Sequence, residues 1–243
     1  MSYIKRRKAG KQGPTPQEII ADQKTLANWL TERVNTIVYT AGAALFILIM
    51  VLGIMWMRSE REEAANKALS MALVLYQNTI YQIPSEDPEL DKMNLGQLLE
   101  GFDEVAFGYA DMAQGQSASL YKASVLYKLG RYTEAATAVE ELRTRNPDLV
   151  SEVNGSYLLA SSYEAMEEYN QAIGVYSQLR DRISGDMKAV LAIDIARCQE
   201  ISGNKEAAVN LYREILSEYP DSVFGLRAVK KLATLGVIDK ETL

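Results

Sequence analysis

The sequence of 243 residues contains no histidine and a single cysteine, Cys198. Without histidine, the chain lacks the commonest general base and the commonest metal ligand of proteins. One cysteine can form neither an intrachain disulfide nor a thiolate metal site. Cys198 lies inside an apolar helical pattern, which predicts a small buried thiol and not a reactive one. Since a glycine-rich phosphate loop is missing too, we expect a protein that is not an enzyme and that holds neither metal nor cofactor.

Proline is scarce, with six residues, and runs of β-branched residues are few. Alanine, leucine, glutamate and tyrosine are abundant instead, and this composition predicts an all-α fold. The net charge of −6 disfavours nucleic acid as a partner.

Residues 37–57 form an uninterrupted run of 21 residues without a charge. At roughly 1.5 Å per residue, a helix of this length reaches about 31 Å, the thickness of a bilayer's hydrocarbon core. A buried core helix is usually shorter and polar on one face, whereas this run is apolar all round. A cleaved signal peptide would have a shorter apolar region followed by a small-residue cleavage site. We therefore predict a retained transmembrane helix, with a signal peptide as the main alternative.

The two sides of this run differ in charge. The preceding arm, residues 1–36, has a net charge of +4, and the chain that follows has a net charge of −10. Because basic residues near a span stay on the cytoplasmic side, the arm is expected in the cytoplasm and the acidic body across the membrane. In a bacterium this is an inner-membrane protein with a periplasmic body. The inverted topology is the alternative.

The arm carries a helix signal of its own. Thr15, Pro16 and Glu18 match a capping box with proline at the first helical position. Apolar residues then recur at helical spacing, namely Ile19, Leu26, Trp29, Leu30 and Val34. The pattern predicts an amphipathic helix that leads into the span. It would either lie on the membrane or dock on a membrane partner.

The body contains an internal repeat. Residues 130–135, 167–172 and 203–208 share the pattern of a turn followed by a helix start, with periods of 37 and 36 residues. Small or apolar residues keep the same register around each motif. We predict that they are buried: Ala123, Ala160 and Ala196 upstream, Ala135, Ala172 and Ala208 at the motif, and Val139, Tyr176, Tyr212, Leu142, Leu179 and Ile215 downstream. Each unit is therefore a helix hairpin, and hairpins must stack to bury their apolar faces.

A degenerate unit precedes these three. Its first helix is expected over 59–82, and its second helix would bury Leu98, Phe102 and Val105. Residues 222–235 have the amphipathic pattern of a capping helix. The predicted organisation is a basic arm over 1–36, a span over 37–57, a degenerate hairpin over 58–115, three repeats over 116–221, and a capping helix and tail over 222–243.

The repeated pattern of a small residue, Gly-x-Tyr-x2-Ala, a Tyr four residues on and a closing Pro resembles the tetratricopeptide repeat. The resemblance implies a helical-hairpin solenoid that binds proteins or unfolded peptide segments. The whole layout also resembles the YfgM-like ancillary subunit of the SecYEG translocon, although no diagnostic motif carries this second resemblance. Members of that family are thought to link the translocation channel to periplasmic chaperones. It implies Sec translocon subunits and periplasmic chaperones as partners.

In such stacks the first helices of the hairpins line a concave groove. Mapped onto the sequence, the groove would contain Ser124, Tyr127, Lys128, Asn154, Tyr157, Ser161, Glu164, Arg197 and Glu200. An ordinary solvated helix face is the alternative. The clamp that holds a C-terminal carboxylate in related cochaperones needs Lys and Asn where this chain has Leu120 and Ser124, so we do not expect it here. The methionines Met71, Met93, Met112, Met166 and Met187 are expected to fill the core.

Together these features predict a membrane-anchored periplasmic adaptor, chaperone-like, that binds exported proteins near the Sec translocon. The alternative is a structural scaffold of a cell-envelope complex in division or secretion, for which homo-oligomer formation would be a sign.

Overall fold

The computed structural model describes residues 16–81, 83, 86–145 and 153–238. It is 85% helical, and the described residues contain no strand, which confirms the predicted all-α class. The chain divides into two compact units, Met1–Arg61 and Glu62–Leu243. The helices of the described part are α1 (Pro16–Ile80), α2 (Pro88–Gly108), α3 (Ala113–Lys128), α4 (Tyr132–Arg145), α5 (Val153–Ala165), α6 (Tyr169–Arg180), α7 (Asp186–Ile201), α8 (Lys205–Glu218) and α9 (Val223–Thr234).

The long helix α1 begins at Pro16, the residue predicted for the first helical position. Its predicted cap, Thr15, lies outside the described residues. Within the described part, one helix is long and apolar enough to cross a membrane, and this candidate covers Val38–Ile80. Its most apolar window is not buried at all, and Phe46 and Trp56 are 64% and 69% exposed. A core helix would be covered by protein, so the finding agrees with a single-pass anchor.

The second unit is a stack of helix hairpins. All six repeat alanines are fully buried, and the six downstream positions are at most 2% exposed. The pairs α3–α4, α5–α6 and α7–α8 form the three hairpins, and each hairpin contacts the next. Burial at every repeat position confirms the predicted solenoid, because an alanine at a helix crossing lets the two backbones come close.

Each hairpin turns in the same way. At the end of α3, the N–H of Arg131 donates to the carbonyl of Leu126, and the N–H of Gly130 donates to Tyr127. The same pair of hydrogen bonds ends α5 and α7. This is a Schellman motif, which needs one residue in the left-handed region. Gly130 and Gly203 take that position with φ of 76° and 91°, but the second repeat places Glu167 there with φ of 64°.

The helix expected over 59–82 is the last part of α1, which continues without a break to Ile80. Leu98, Phe102 and Val105 of α2 are buried as predicted. They pack with Ala72 and Tyr76 of α1 in one apolar cluster. Pro84, Ser85 and Pro147 lie outside the described residues.

Two glycines fix how a following helix enters the stack. A Cβ on Gly225 would lie 2.2 Å from the carbonyl oxygen of Tyr219, and a Cβ on Gly115 would lie 2.0 Å from that of Tyr109. Tyr109 and Tyr219 are the C-caps of α2 and α8. These equivalent positions show that the degenerate unit ends in the same way as the third repeat.

The stack closes with α9, whose N-cap Ser222 accepts hydrogen bonds from the backbone N–H groups of residues 224 and 225. Ala228 and Leu232 are buried against the last hairpin, as a capping helix requires. Cys198 is fully buried, as the apolar helical pattern around it predicted. The prediction for the methionines is wrong for Met71 and Met93, which are 64% and 55% exposed, because no hairpin packs in front of the first one among the described residues.

Candidate functional site

A groove of about 790 Å³ opens within the second unit. Its walls come from the last part of α1 and from α3, α5 and α7, the first helices of successive hairpins, with one residue from α6. Seven of the nine residues predicted for the groove line it: Ser124, Tyr127, Asn154, Tyr157, Ser161, Glu164 and Arg197. The volume is in the range of sites that bind small ligands or short peptide segments.

The other two predicted residues do not line this groove. Lys128 is exposed at the end of α3. Glu200 accepts a hydrogen bond from the Tyr212 hydroxyl at 3.2 Å and another from Lys231 Nζ at 2.9 Å. Its carboxylate therefore joins the third repeat to the capping helix.

Sequence reasoning missed several residues of the wall: Tyr76, Ser117, Leu120, Tyr121, Leu158, Ala165, Tyr176 and Met187. Ser117, Leu120, Tyr121 and Ser124 are spaced three and four apart, so extending the predicted face of α3 by two turns would have found them. Tyr76 belongs to the degenerate unit, whose register the sequence does not show. Tyr176 was predicted only as a buried spacer between hairpins.

Tyrosine rings form much of the groove wall. Tyr121 lies edge-on to Tyr76, with ring centroids 5.3 Å apart, and stacks on Phe102 at the same distance. Further along the groove, Tyr157 and Tyr176 are 5.5 Å apart. Rings that are held against one another present a preordered apolar surface with little side-chain entropy left to lose.

The charges at one end of the groove are paired with each other. Arg197 Nη2 donates to Asp194 Oδ1 at 2.7 Å and to Glu164 Oε2 at 3.0 Å. The Tyr157 hydroxyl donates to Asp194 Oδ2 at 3.0 Å. Burial, with the Asp194 carboxylate, raises the pKa of Tyr157 to about 12, and burial also raises the pKa of Asp194 itself. Because the guanidinium already has two carboxylate partners, it offers no free charge to an anionic ligand.

The same polar connection occurs twice in the stack. In the second repeat, Glu164 accepts a hydrogen bond from the Tyr176 hydroxyl of its own hairpin at 3.3 Å and another from Arg197 of the next hairpin. In the third repeat, Glu200 likewise accepts hydrogen bonds from Tyr212 of its own hairpin and from Lys231 of the capping helix. The first repeat has Tyr127 and Val139 at the equivalent positions. It therefore lacks this connection.

The first-repeat side of the groove contains polar groups without an internal partner. Ser117, Tyr121, Tyr127 and Asn154 line the groove, and their side chains form no hydrogen bond to other described residues. A hydroxyl can donate and accept, and an amide offers donors and an acceptor. These groups could bind the N–H and C=O groups of an extended peptide while the rings cover its side chains.

Comparison with known families agrees with this geometry. A family model described as tetratricopeptide repeat matches residues 117–148, 156–182 and 194–222. The three stretches fall on the three hairpins, so the body is a helical solenoid similar to tetratricopeptide repeats. Proteins of this repeat class are generally non-catalytic scaffolds that bind protein partners, and no enzyme family is indicated.

Solved structures with a similar fold include the nearly identical TPR-like repeats of a protein described as a kinesin light chain from Podosopora anserina. It is 16% identical, with 67% of this chain and 96% of that chain covered and a TM-score of 0.46. The ArsTM double mutant of MamA RS-1 is 19% identical, with coverages of 68% and 90% and a TM-score of 0.46. A comparison with curated proteins finds no match.

Proposed function

We propose that this chain is a membrane-tethered adaptor whose groove binds extended segments of partner proteins. The observation that carries the proposal is the groove itself, in which rings from four helices surround unpaired polar groups. A tether on the same chain supports it, since the uncharged run of 37–57 is long enough to span a bilayer.

The ligand is expected to be an uncharged segment with aromatic or aliphatic side chains. Glu164 and Arg197 are the charged residues that line the described groove, and they neutralise each other. An acidic peptide or a terminal carboxylate would find no free cation there, because Leu120 and Ser124 replace the residues of the carboxylate clamp.

The charge pattern supports a location for this activity. With +4 on the arm and −10 on the rest of the chain, the body is proposed to face the periplasm of a bacterium. Extended apolar segments occur there when proteins leave the translocation channel. We therefore place the protein beside the Sec translocon, acting as a chaperone-like adaptor for exported proteins.

Binding can be tested with the full-length protein in lipid nanodiscs and an array of uncharged and acidic 12-residue peptides. Tyr127→Ala and Asn154→Ala should each weaken the uncharged binders by at least about tenfold, the effect of removing a central contact of an interface. Phe107→Ala is the matched control, because Phe107 is 88% exposed and does not line the groove. If both groove variants bind as the wild type does, or if acidic peptides bind best, the groove is not the site.

The location requires separate experiments. A photoreactive amino acid at Trp29 should trap translocon subunits in living cells, and a reporter fused after Leu243 should be active only outside the cytoplasm. Capture of a different membrane complex would reject the translocon while leaving peptide binding intact. A reporter that is active in the cytoplasm would reject the periplasmic body.

A further inference from the structure

An apolar stripe on the last part of α1 has no partner within the described chain. Met71 and Val74 of α1 are 64% and 58% exposed, and Tyr81, in the turn directly after the helix, is 91% exposed. On another side of the helix, Ala65 and Ala72 are buried, and Ala72 packs in one apolar cluster with residues of α2 and α3. The stripe therefore lies on a different face of the helix from the residues that pack in the core.

The exposed positions follow a seven-residue repeat. Ala64, Met71 and Asn78 form one row, and Lys67, Val74 and Tyr81 form a second row that lies three residues later each time. This alternation of three and four is the a/d seam of a two-stranded coiled coil. The neighbouring exposed positions on one side are polar: Asn66, Ser70 and Gln77. On the other side, Leu75 is apolar and 43% exposed. An exposed face with so few large apolar residues fits one partner helix.

A lipid surface fits this stripe less well. A helix that lies on a bilayer has a broad apolar face with basic residues beside it. Here the stripe is narrow, and the chain just beyond it contains Glu86, Asp87 and Glu89. Anionic headgroups would repel these carboxylates.

Two features indicate that the partner helix is identical. Asn78 occupies a position of the seam where two asparagines can hydrogen-bond across a twofold axis only if the helices are parallel and in register. Chains inserted by the same single span all have the same orientation, so the membrane supplies this arrangement. From the spacing and the anchor, we infer that residues 64–81 form a parallel homodimer seam between two copies of this chain.

The polar members of the seam set its strength. Lys67 can pack its methylene stem in the seam and direct its ammonium group outward. The seam has 18 residues, a length of about 27 Å, which is short for a stable coiled coil in solution. The span raises the effective concentration of the two helices by confining them to one membrane. The dimer is therefore expected to depend on the anchor.

Cysteine scanning of the full-length protein in nanodiscs tests the seam. In a Cys198→Ala background, Met71→Cys and Asn78→Cys should form disulfide-linked dimers under mild oxidation. Ser70→Cys and Gln77→Cys, one residue away on the polar side, are matched controls and should remain uncrosslinked. The homodimer would be overturned if the control positions Ser70→Cys and Gln77→Cys crosslinked as well as the seam positions. It would also be overturned if Asn78→Cys formed no crosslink.

A second measurement separates the possible occupants. Counting fluorophores in single nanodiscs should give two copies for the wild type and one for a Met71→Lys/Val74→Lys variant. The variant should melt like the wild type, because both side chains are exposed. A photoreactive residue at Met71 that couples to lipid instead of a second chain would assign the stripe to the membrane. Peptide binding in the groove does not depend on either outcome.

Discussion

Glu167 offers a sharp test of the repeat geometry. It has φ of 64°, while Gly130 and Gly203 occupy the equivalent positions of the other two repeats. In the left-handed region, a Cβ costs about 1–2 kcal/mol because it approaches the following carbonyl. Glycine at the same place loses about 0.4–1 kcal/mol more chain entropy on folding. Glu167→Gly should therefore stabilise the body by about 0.5–1 kcal/mol, the difference between these terms.

The effect should be visible in thermal unfolding. For a unit of this size, a gain of about 0.5–1 kcal/mol raises Tm by about 1–4 °C. The assay is circular dichroism of the full-length protein in nanodiscs, with Glu167→Gly beside the wild type. The reciprocal change, Gly203→Ala, should lower Tm through the backbone alone, because no atom lies within 4 Å of the added Cβ.

Glu167→Ala is the necessary control, since it removes the exposed carboxylate but keeps the Cβ. If Glu167→Ala raises Tm as much as Glu167→Gly, the gain comes from relief of charge repulsion with neighbours such as Glu168, and the backbone argument is refuted. A fall in Tm for Glu167→Gly would refute it as well.

Three further perturbations follow from the structure. Gly225→Ala should detach α9 and lower Tm, because the new Cβ would lie 2.2 Å from the Tyr219 carbonyl oxygen. Gly96→Ala, in an open helical position, should instead raise Tm, because it increases the free energy of unfolding by about 1 kcal/mol at most. Burial raises the pKa of Tyr157 and Tyr163 to about 12, above the ordinary tyrosine value of about 10. The folded state therefore keeps protons that the unfolded chain loses, so stability is complete below about pH 10 and falls as the pH rises towards 12. The difference in tyrosinate absorbance between the wild type and a Tyr157→Phe/Tyr163→Phe variant should appear only as the circular dichroism of the helices is lost, whereas earlier ionisation would contradict the burial.

The connection between repeats has a consequence for the groove. Glu164 and Glu200 each join a tyrosine of their own hairpin to a basic residue of the next. The first repeat has Tyr127 where the second has Glu164, so its hydroxyl is left for a ligand. The groove is thus expected to be rigid at the α7 end and to bind polar backbone groups at the α3 end.

Much of the groove could be predicted, since first-helix positions of stacked hairpins share one face. The two predicted residues that do not line this groove, Lys128 and Glu200, lie in the last turn of their helices. Lys128 lies one turn after Ser124 on the same face of α3. It is the last residue of the helix, however, and its side chain is exposed and does not line the groove. Glu200 is displaced because Tyr212 and Lys231 hold it. Residue spacing in the sequence does not show which side chains from other helices will bind a given carboxylate.

The sequence alone determined the uncharged run of 37–57, the all-α class and the register of the three repeats. These follow from local composition and from helical periodicity, which requires a small or apolar residue wherever hairpins cross. Only the tertiary structure decided that Tyr157 reaches Asp194 and that Arg197 reaches Glu164, because these partners meet through the stacking angle between hairpins. It also decided that the stripe of Met71 and Val74 is exposed, because burial depends on whether another element is there to cover a helix face.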